Sequence, residues 1–267
     1  MHFSKNMSNV YLCLMQPVKE IIDQNLFTAE NLVTLLSAKG EDGLYILKKA
    51  GELKLKTVGN KVYFRGLIEL SNVCEKDCLY CGIRRSNIAV ERYNLTDEEV
   101  LGAARFAFEE RYGSIVIQSG EVTNEPFVAR IERLIKNIKA LSDNKLGITL
   151  SLGEQTEEVY RRWFIAGAHR YLLRIESSNP ELYRKLHPDD GHHLYEKRLA
   201  SLKIMKKAGF QAGTGIMIGT PYQTMEDLAN DLLFFRDFDV DMVGMGPFIE
   251  HDDTPFKNPL PESLSLP

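Results

Sequence analysis

Residues 62–82 read VYFRGLIELSNVCEKDCLYCG, and the prediction of the fold rests on this stretch. Its first part, residues 62–70, is rich in β-branched, aromatic and aliphatic side chains, which is typical of a buried strand. Cys74, Cys78 and Cys81 follow directly, in the spacing C-x3-C-x2-C. The stretch therefore predicts a strand whose following loop carries three thiols close together.

Strand and helix patterns alternate along the rest of the chain. A capping box from Thr96 to Glu99 begins one helix, and Asn179 followed by Pro180 begins another. This alternation predicts an α/β fold with parallel strands and right-handed crossovers, either doubly wound or curling towards a barrel. Six strands are predicted, over residues 62–70, 114–118, 148–152, 171–175, 214–218 and 242–247.

The chain divides into three parts by its pattern. Residues 18–50 carry helical periodicity ahead of the first strand, so residues 1–57 are predicted to form an N-terminal helical extension. Residues 58–256 hold the alternating strands and helices and are predicted to form a partial barrel. Residues 257–267 show no helix pattern and are predicted to be an irregular tail.

Composition and charge exclude several functional classes. The 267 residues carry a net charge of -4 and no basic cluster, so we expect neither nucleic acid nor a membrane surface as a partner. No apolar run approaches the roughly 20 residues that span a bilayer. The apolar patch near the N-terminus has no cleavage pattern after it, so we expect no signal peptide and a cytoplasmic location.

The three clustered cysteines favour an iron–sulfur cluster. A cubane cluster normally takes four thiolates, so three in one loop leave one iron open to another ligand. The alternative is a structural zinc site, which requires a fourth cysteine or histidine at a paired spacing that this chain does not show. A purely structural role is disfavoured because three thiols in a polar loop make a poor core. The remaining cysteine, Cys13, is interpreted as incidental, and His192-His193 as part of a solvated loop.

Tyr80, immediately before the last cysteine, completes a motif that resembles the signature of the radical S-adenosylmethionine (SAM) superfamily. Within it, the chain is similar to the HydE family of FeFe-hydrogenase maturases, which is grouped with the biotin and methylornithine synthases. The resemblance extends from residue 18 to residue 256 and implies an eight-stranded TIM-like barrel, of which six strands are predicted here. It is carried by residues 68–74 (IELSNVC), 78–85 (CLYCGIRR), 117–121 (IQSGE), 149–154 (TLSLGE), 170–176 (RYLLRIE) and 241–249 (DMVGMGPFI).

The resemblance implies cofactors and the residues that hold them. Cys74, Cys78 and Cys81 would bind a 4Fe-4S cluster, and its open iron would bind SAM, which is cleaved to a 5′-deoxyadenosyl radical. No catalytic residue is implied beyond these two cofactors. The implied SAM contacts are Tyr80, Ser119, Gly120, Glu121, Ser151, Glu176 and Arg198, and the substrate-side candidates are Gln118 and Arg174.

Each implied contact has a plainer interpretation. Glu176 and Arg174 could pair with each other at the end of a strand. Arg198 lies on a predicted helix and could be a solvated surface charge. Ser151 could bond backbone alone.

The resemblance also implies partners: a small-molecule or small iron-complex substrate, a reductant for the cluster and other hydrogenase maturases. Members of the family continue beyond the stretch that corresponds to Pro255-Phe256 through two further strands, so we expect an incomplete barrel and a shortened chain. The competing hypotheses are a methylornithine-synthase-like or biotin-synthase-like enzyme, and a non-catalytic fragment that binds a cluster. Biotin synthases need further cysteines for a second cluster, and this sequence does not supply them.

Overall fold

The computed structural model describes residues 17–257, so Cys13 and the tail 258–267 lie outside the described residues. Within that range the chain forms two compact units. One comprises residues 17–62 and 224–234, and the other comprises residues 63–223 and 235–257. The domain boundaries expected after residues 57 and 256 stay predictions.

The first unit begins with three helices: α1 (Val18–Gln24), α2 (Ala29–Leu36) and α3 (Gly40–Val58). Asn25 ends α1 in the left-handed conformation, and the Thr28 hydroxyl caps α2 by accepting a hydrogen bond from the N–H of Asn31 at 3.3 Å. Tyr45 on α3 donates a hydrogen bond to Asp23 at 2.7 Å. Within residues 17–257, none of the helices has the length and apolarity that crossing a bilayer requires.

The second unit contains one sheet of six parallel strands in the order β1-β2-β3-β4-β5-β6. This strand order in a parallel sheet is that of successive βα units curling towards a barrel, and it confirms the predicted α/β fold with six strands. The strands are β1 (Gly66–Ser71), β2 (Ser114–Ser119), β3 (Gly147–Ser151), β4 (Arg170–Leu172), β5 (Gln211–Ile218) and β6 (Met242–Pro247).

A helix follows each of the first five strands. The predicted capping box is present at the start of the first of them, where Thr96 and Glu99 exchange both hydrogen bonds. The helices are α4 (Asp97–Glu109), α5 (Glu125–Leu141), α6 (Glu157–Ala166), α7 (Pro180–Leu186), α8 (Tyr195–Lys207) and α9 (Met225–Asp237), with α7 and α8 both between β4 and β5.

The first strand is shorter than predicted. Residues 62–65 lie outside the sheet, and Val62, Tyr63 and Phe64 are each about three-quarters exposed, at 75%, 74% and 76%. Pairing of β1 with β2 starts only at Gly66 opposite Ile115. The apolar side chains of residues 62–65 therefore predict too long a strand. A strand residue needs a paired residue on the neighbouring strand, and β2 provides none for these residues.

Strand β4 ends three residues earlier than predicted, and a threonine explains why. The Thr214 hydroxyl of β5 donates to the carbonyl of Leu173 at 2.9 Å and accepts from the N–H of Ile175 at 3.0 Å. It thereby replaces a backbone-to-backbone link of the ladder. Beyond this insertion, Glu176 returns to β5 through its N–H and the carbonyl of Gly215, at 3.0 Å.

Aromatic side chains fill the core between helix α6 and the sheet. Trp163 is fully buried and donates its indole N–H to the carbonyl of Val128 at 3.1 Å. It stacks on Tyr171, which in turn meets Tyr160 and Phe210 edge to face. This packing fixes the strands whose carboxyl ends carry the site.

Candidate active site at the carboxyl ends of the strands

The loop that carries the three cysteines is held against the end of β2. The N–H of Gly120 donates to the carbonyl of Ser71 at 3.1 Å, and the N–H of Glu75 donates to the carbonyl of Glu121 at 2.8 Å. A Cβ at Gly120 would lie 2.2 Å from the carbonyl oxygen of Val73, so only glycine permits this approach. The predicted motif Ser119-Gly120-Glu121 is therefore in direct contact with the cysteine loop.

The three thiols are half-buried and influence one another electrostatically. Burial raises the pKa of Cys78 to about 12; the guanidinium of Arg198 opposes this rise, and Cys81 and Cys74 add to it. Burial likewise raises the pKa of Cys74 and of Cys81. The three sulfurs thus share one environment that disfavours bare thiolates, so they require a positive partner to ionise.

The Cys74 sulfur accepts two backbone hydrogen bonds, from the N–H of Lys76 at 3.4 Å and the N–H of Glu121 at 3.3 Å. Such N–H groups favour a thiolate. Over residues 17–257, no three His, Cys, Asp or Glu side chains form a site for a single metal ion. Three thiols on one loop are the ligand type of an iron–sulfur cluster, whereas a structural zinc site takes four protein ligands.

Four charged side chains form a buried network beside the cysteine loop. The Lys76 ammonium contacts Glu154 at 3.1 Å and Glu121 at 3.3 Å, and Arg198 contacts Glu154 at 2.6 Å. All four side chains are less than a tenth exposed. Burial works to raise the pKa of Glu154, but Arg198 and Lys76 outweigh it and hold the pKa below its ordinary value. The two cations and two anions thus compensate one another inside the protein.

Sequence reasoning missed two members of this network, Lys76 and Glu154. The signal for Lys76 is its position inside the cysteine motif, and that for Glu154 is its place directly after the third strand. The interpretation of Arg198 as a solvated surface charge is wrong, because its side chain is 9% exposed and donates to Glu154 and to the carbonyl of Arg174.

Arg174 and Glu176 pair with each other, with the Arg174 Nε 3.3 Å from a Glu176 carboxylate oxygen. Glu176 is buried and has a φ of 64°, a left-handed conformation unusual for glutamate. Burial raises its pKa, and Arg174 and Arg198 oppose the rise. Within the described part of the chain, the second oxygen of Glu176 and the Arg174 Nε and Nη2 have no hydrogen-bond partner although all three atoms are buried. The pair therefore retains one acceptor and two donors for a ligand.

A polar row crosses the first three strands. Gln118 on β2 lies in register with Glu69 on β1 and with Ser151 on β3. The Gln118 amide nitrogen is 3.5 Å from the Glu69 carboxylate. The hydroxyl of Ser119, one residue further along β2, donates to the carbonyl of Gly120 at 2.7 Å. Of this row, sequence reasoning selected Gln118 and Ser151 and missed Glu69.

The interpretation of His192-His193 as a solvated loop is wrong for His193. Its imidazole is buried, and its Nε2 accepts a hydrogen bond from the N–H of Asp77, between the first two cysteines, at 3.0 Å. Its Nδ1 lies 2.8 Å from Asp190. His192 itself is exposed, but its carbonyl accepts a hydrogen bond from Lys76.

Tyr80 packs its ring against His187, and its hydroxyl is 3.3 Å from the Nε2 of His187. The Nδ1 of His187 lies 2.7 Å from the carbonyl of Tyr183, so Nδ1 carries the proton and Nε2 accepts. Burial lowers the pKa of His187 to about 3. His187 is therefore a neutral acceptor that orients the Tyr80 hydroxyl at ordinary pH.

We expect the stability of the protein to fall as the pH drops below about 6.5, partly through His187. The unfolded chain binds a proton there near pH 6.5, whereas the folded chain resists it down to about pH 3. Between pH 7 and pH 5 this single group accounts for about 2 kcal/mol of lost unfolding free energy. Urea unfolding at both pH values checks this, and His187→Gln should lose correspondingly less stability than the parent protein.

The matched control for this measurement is His192→Gln, which changes an exposed histidine of the same loop. It should keep the pH dependence of the parent protein. Equal pH dependence in His187→Gln and the parent would contradict the assignment.

The chain is similar to known proteins in sequence and in fold. The family profile described as the Radical SAM superfamily matches residues 68–235. The chain is 44% identical over 244 residues to the FeFe hydrogenase maturase subunit HydE of Thermotoga maritima, covering 90% of this chain and 68% of that protein. It is 27% identical to a biotin synthase of Lysinibacillus sphaericus, covering 86% of this chain and 68% of that enzyme.

Among solved structures, methylornithine synthase (PylB) superposes with a TM-score of 0.81 at 25% identity, covering 92% of this chain and 72% of that one. The family profile, the sequence identity and the fold all point to the same superfamily. The extent of the profile match and the identity to HydE show that the chain is a radical SAM enzyme of the HydE family of FeFe-hydrogenase maturases.

Proposed function

We propose that Cys74, Cys78 and Cys81 hold a 4Fe-4S cluster at which the protein cleaves SAM as part of FeFe-hydrogenase maturation. Membership of the superfamily implies a 4Fe-4S cluster and SAM as cofactors. The observation that supports these ligands is that the three cysteines lie on a single loop, which the close approach at Gly120 holds against β2. When bound there, the cluster would supply the electron for reductive cleavage of SAM.

The residues around the thiols have the chemistry to bind SAM. The unpaired buried oxygen of Glu176 suits a hydroxyl donor such as those of the ribose. Arg198 uses its Nε and one terminal nitrogen within the protein, which leaves donors for a carboxylate. The carboxylates and hydroxyls near the loop suit an ammonium group, and Tyr80 offers an aromatic edge to the adenine. We assign SAM binding to Tyr80, Ser119, Gly120, Glu121, Ser151, Glu176 and Arg198.

Two residues on the substrate side extend the proposal. The buried Arg174 Nη2 has no hydrogen-bond partner within residues 17–257. The Gln118 amide nitrogen makes only a long contact, of 3.5 Å, to the Glu69 carboxylate. Both side chains are available to a small polar or anionic substrate. We propose a small molecule or a small iron complex as that substrate, a reductant that serves the cluster, and other hydrogenase maturases as partners.

Anaerobic reconstitution tests the proposed function. The full chain, loaded with iron and sulfide, is incubated with SAM and dithionite, and 5′-deoxyadenosine is quantified by chromatography. We expect 5′-deoxyadenosine to form only when dithionite is present. A fully loaded cluster that leaves SAM intact under reduction would overturn the enzymatic assignment.

A second function, that of methylornithine synthase, is favoured by the TM-score of 0.81 to PylB. The sequence identity of 25% to that protein is well below the 44% to HydE, and this difference favours the maturase. A biotin-synthase-like role is disfavoured because only Cys13 is left beyond the motif to serve a second cluster. Hydrogenase-maturation genes beside the coding gene would separate the two leading functions.

A further inference from the structure

The cysteine loop is attached to a distant part of the chain by four hydrogen bonds. We call residues 186–193, which begin at the last residue of helix α7, the clamp segment. Its partners all lie within residues 76–80, between the first and third cysteines. The bonds join Leu79 N–H to the Leu186 carbonyl (3.1 Å), Tyr80 hydroxyl to His187, Lys76 to the His192 carbonyl, and Asp77 N–H to His193 (3.0 Å).

His193 makes the most specific of these contacts. Its side chain is 1% exposed, and its Nε2 accepts the backbone N–H of Asp77, which immediately precedes Cys78. The Asp190 carboxylate accepts from the opposite ring nitrogen, so the acceptor tautomer is set by hydrogen bonding within the clamp segment. The carboxylate of Asp77 is engaged separately, by Arg84 at 2.9 Å and by Ser86. The imidazole therefore holds the backbone of the loop rather than a charge on it.

We propose that His193 is a positioning residue that fixes the cysteine loop, and with it the backbone that carries the three cysteines, against the clamp segment. This inference rests on the proposed function, in which those cysteines hold a cluster. Residues 72–88 contain no helix or strand, so the loop has no ladder of its own to restrain it. Each such residue must lose backbone conformational freedom to hold its place. A buried acceptor for one loop N–H pre-organises the ligands before iron arrives.

The clamp segment also connects the loop to the SAM side of the site. Helix α7 has only seven residues and begins at Pro180, four positions after Glu176. Its buried residues Leu182 and Leu186 pack with Tyr80 and Leu79 of the cysteine loop. A shift of the clamp segment would therefore move the thiols relative to Glu176. His193 thus positions one part of the site with respect to another.

The test compares His193→Leu, which removes the acceptor, with His193→Gln, which keeps an acceptor oxygen. Amide hydrogen exchange in the cysteine-loop peptides of the full-length apo protein is measured by mass spectrometry. Loss of the acceptor for a buried N–H should raise exchange on the order of tenfold in His193→Leu. After reconstitution, that variant should bind less iron and show altered electron paramagnetic resonance g-values, and His193→Gln should restore both in part.

Two further variants complete the design. His169→Leu changes a partly buried histidine outside the clamp segment, which lies against Gly147 at the start of β3, and should leave exchange in the cysteine loop unchanged. Asp190→Ala removes the carboxylate that pairs with His193; this carboxylate is 27% exposed, so the variant tests the same contact even if His193→Leu does not fold. It should raise hydrogen exchange in the loop by a smaller factor than His193→Leu.

The outcomes separate this inference from the proposed function. Parent-like exchange, iron content and g-values in either His193→Leu or Asp190→Ala would overturn the role of His193. A different result is possible, in which the parent protein binds no cluster but both variants still raise hydrogen exchange in the cysteine loop. The clamp segment would then have a structural role only, and its role toward a cluster would be overturned together with the proposed function.

Discussion

Replacing Cys78 with alanine is expected to reduce reductive cleavage of SAM by more than about a hundredfold, because changes even outside the ligand shell of a metal site typically cost 10- to 100-fold. Cys78 is the central cysteine of the motif and the thiol whose pKa burial raises to about 12. A bound metal ion would supply the positive charge that offsets this burial, so we expect the sulfur to act as a ligand rather than as a free thiolate. Removing it leaves two thiols, which cannot retain a cubane cluster.

The measurement is iron and sulfide content together with 5′-deoxyadenosine after anaerobic reconstitution. The matched control is Cys13→Ala, which changes the cysteine outside the motif and lies outside the described residues. It should retain the iron content and activity of the parent protein. Full iron content in Cys78→Ala, or equal losses in both variants, would show that the motif is not the ligand set.

Replacing Arg198 with methionine is expected to lower the free energy of unfolding by about 3 kcal/mol, because breaking a buried ion pair leaves a charge uncompensated. Arg198 donates to Glu154 at 2.6 Å, and the two side chains are 9% and 2% exposed. Lys76 remains at 3.1 Å from Glu154 and limits the loss, but it must also serve Glu121. Methionine fills a similar volume, so the effect reports the lost charge rather than a cavity.

Urea unfolding of the apo protein under reducing conditions measures this loss. The matched control is Lys197→Met, because Lys197 is the neighbouring residue and lies 3.7 Å from the same carboxylate but is 56% exposed. That variant should lose less than about 1 kcal/mol, as exposed pairs do. Adding Glu154→Gln to Arg198→Met should recover part of the stability. A loss below about 1 kcal/mol in Arg198→Met would contradict the importance of the pair.

The agreement between the predicted and observed strands has a local cause. The predicted strands 114–118 and 242–247 lie in β2 (Ser114–Ser119) and β6 (Met242–Pro247), because short runs rich in apolar residues need little context to be recognised. The capping box at Thr96 is likewise complete within four residues. The end of a strand depends instead on where its partner strand offers hydrogen bonds. At residues 62–65 and 173–175, where this decides the end, the predicted strand ends are wrong.

The sequence by itself determined the parallel α/β fold, the loop with Cys74, Cys78 and Cys81, and the superfamily, because these depend on side chains close together along the chain. Only the tertiary structure decided what surrounds that loop. Lys76 meets Glu154 across 78 positions, and Asp77 meets His193 across 116. Such pairings carry no spacing signal, since folding, not sequence proximity, brings the partners together. For this reason His193, which the sequence pattern places in a solvated loop, is in the structure a buried hydrogen-bond acceptor for the cysteine loop.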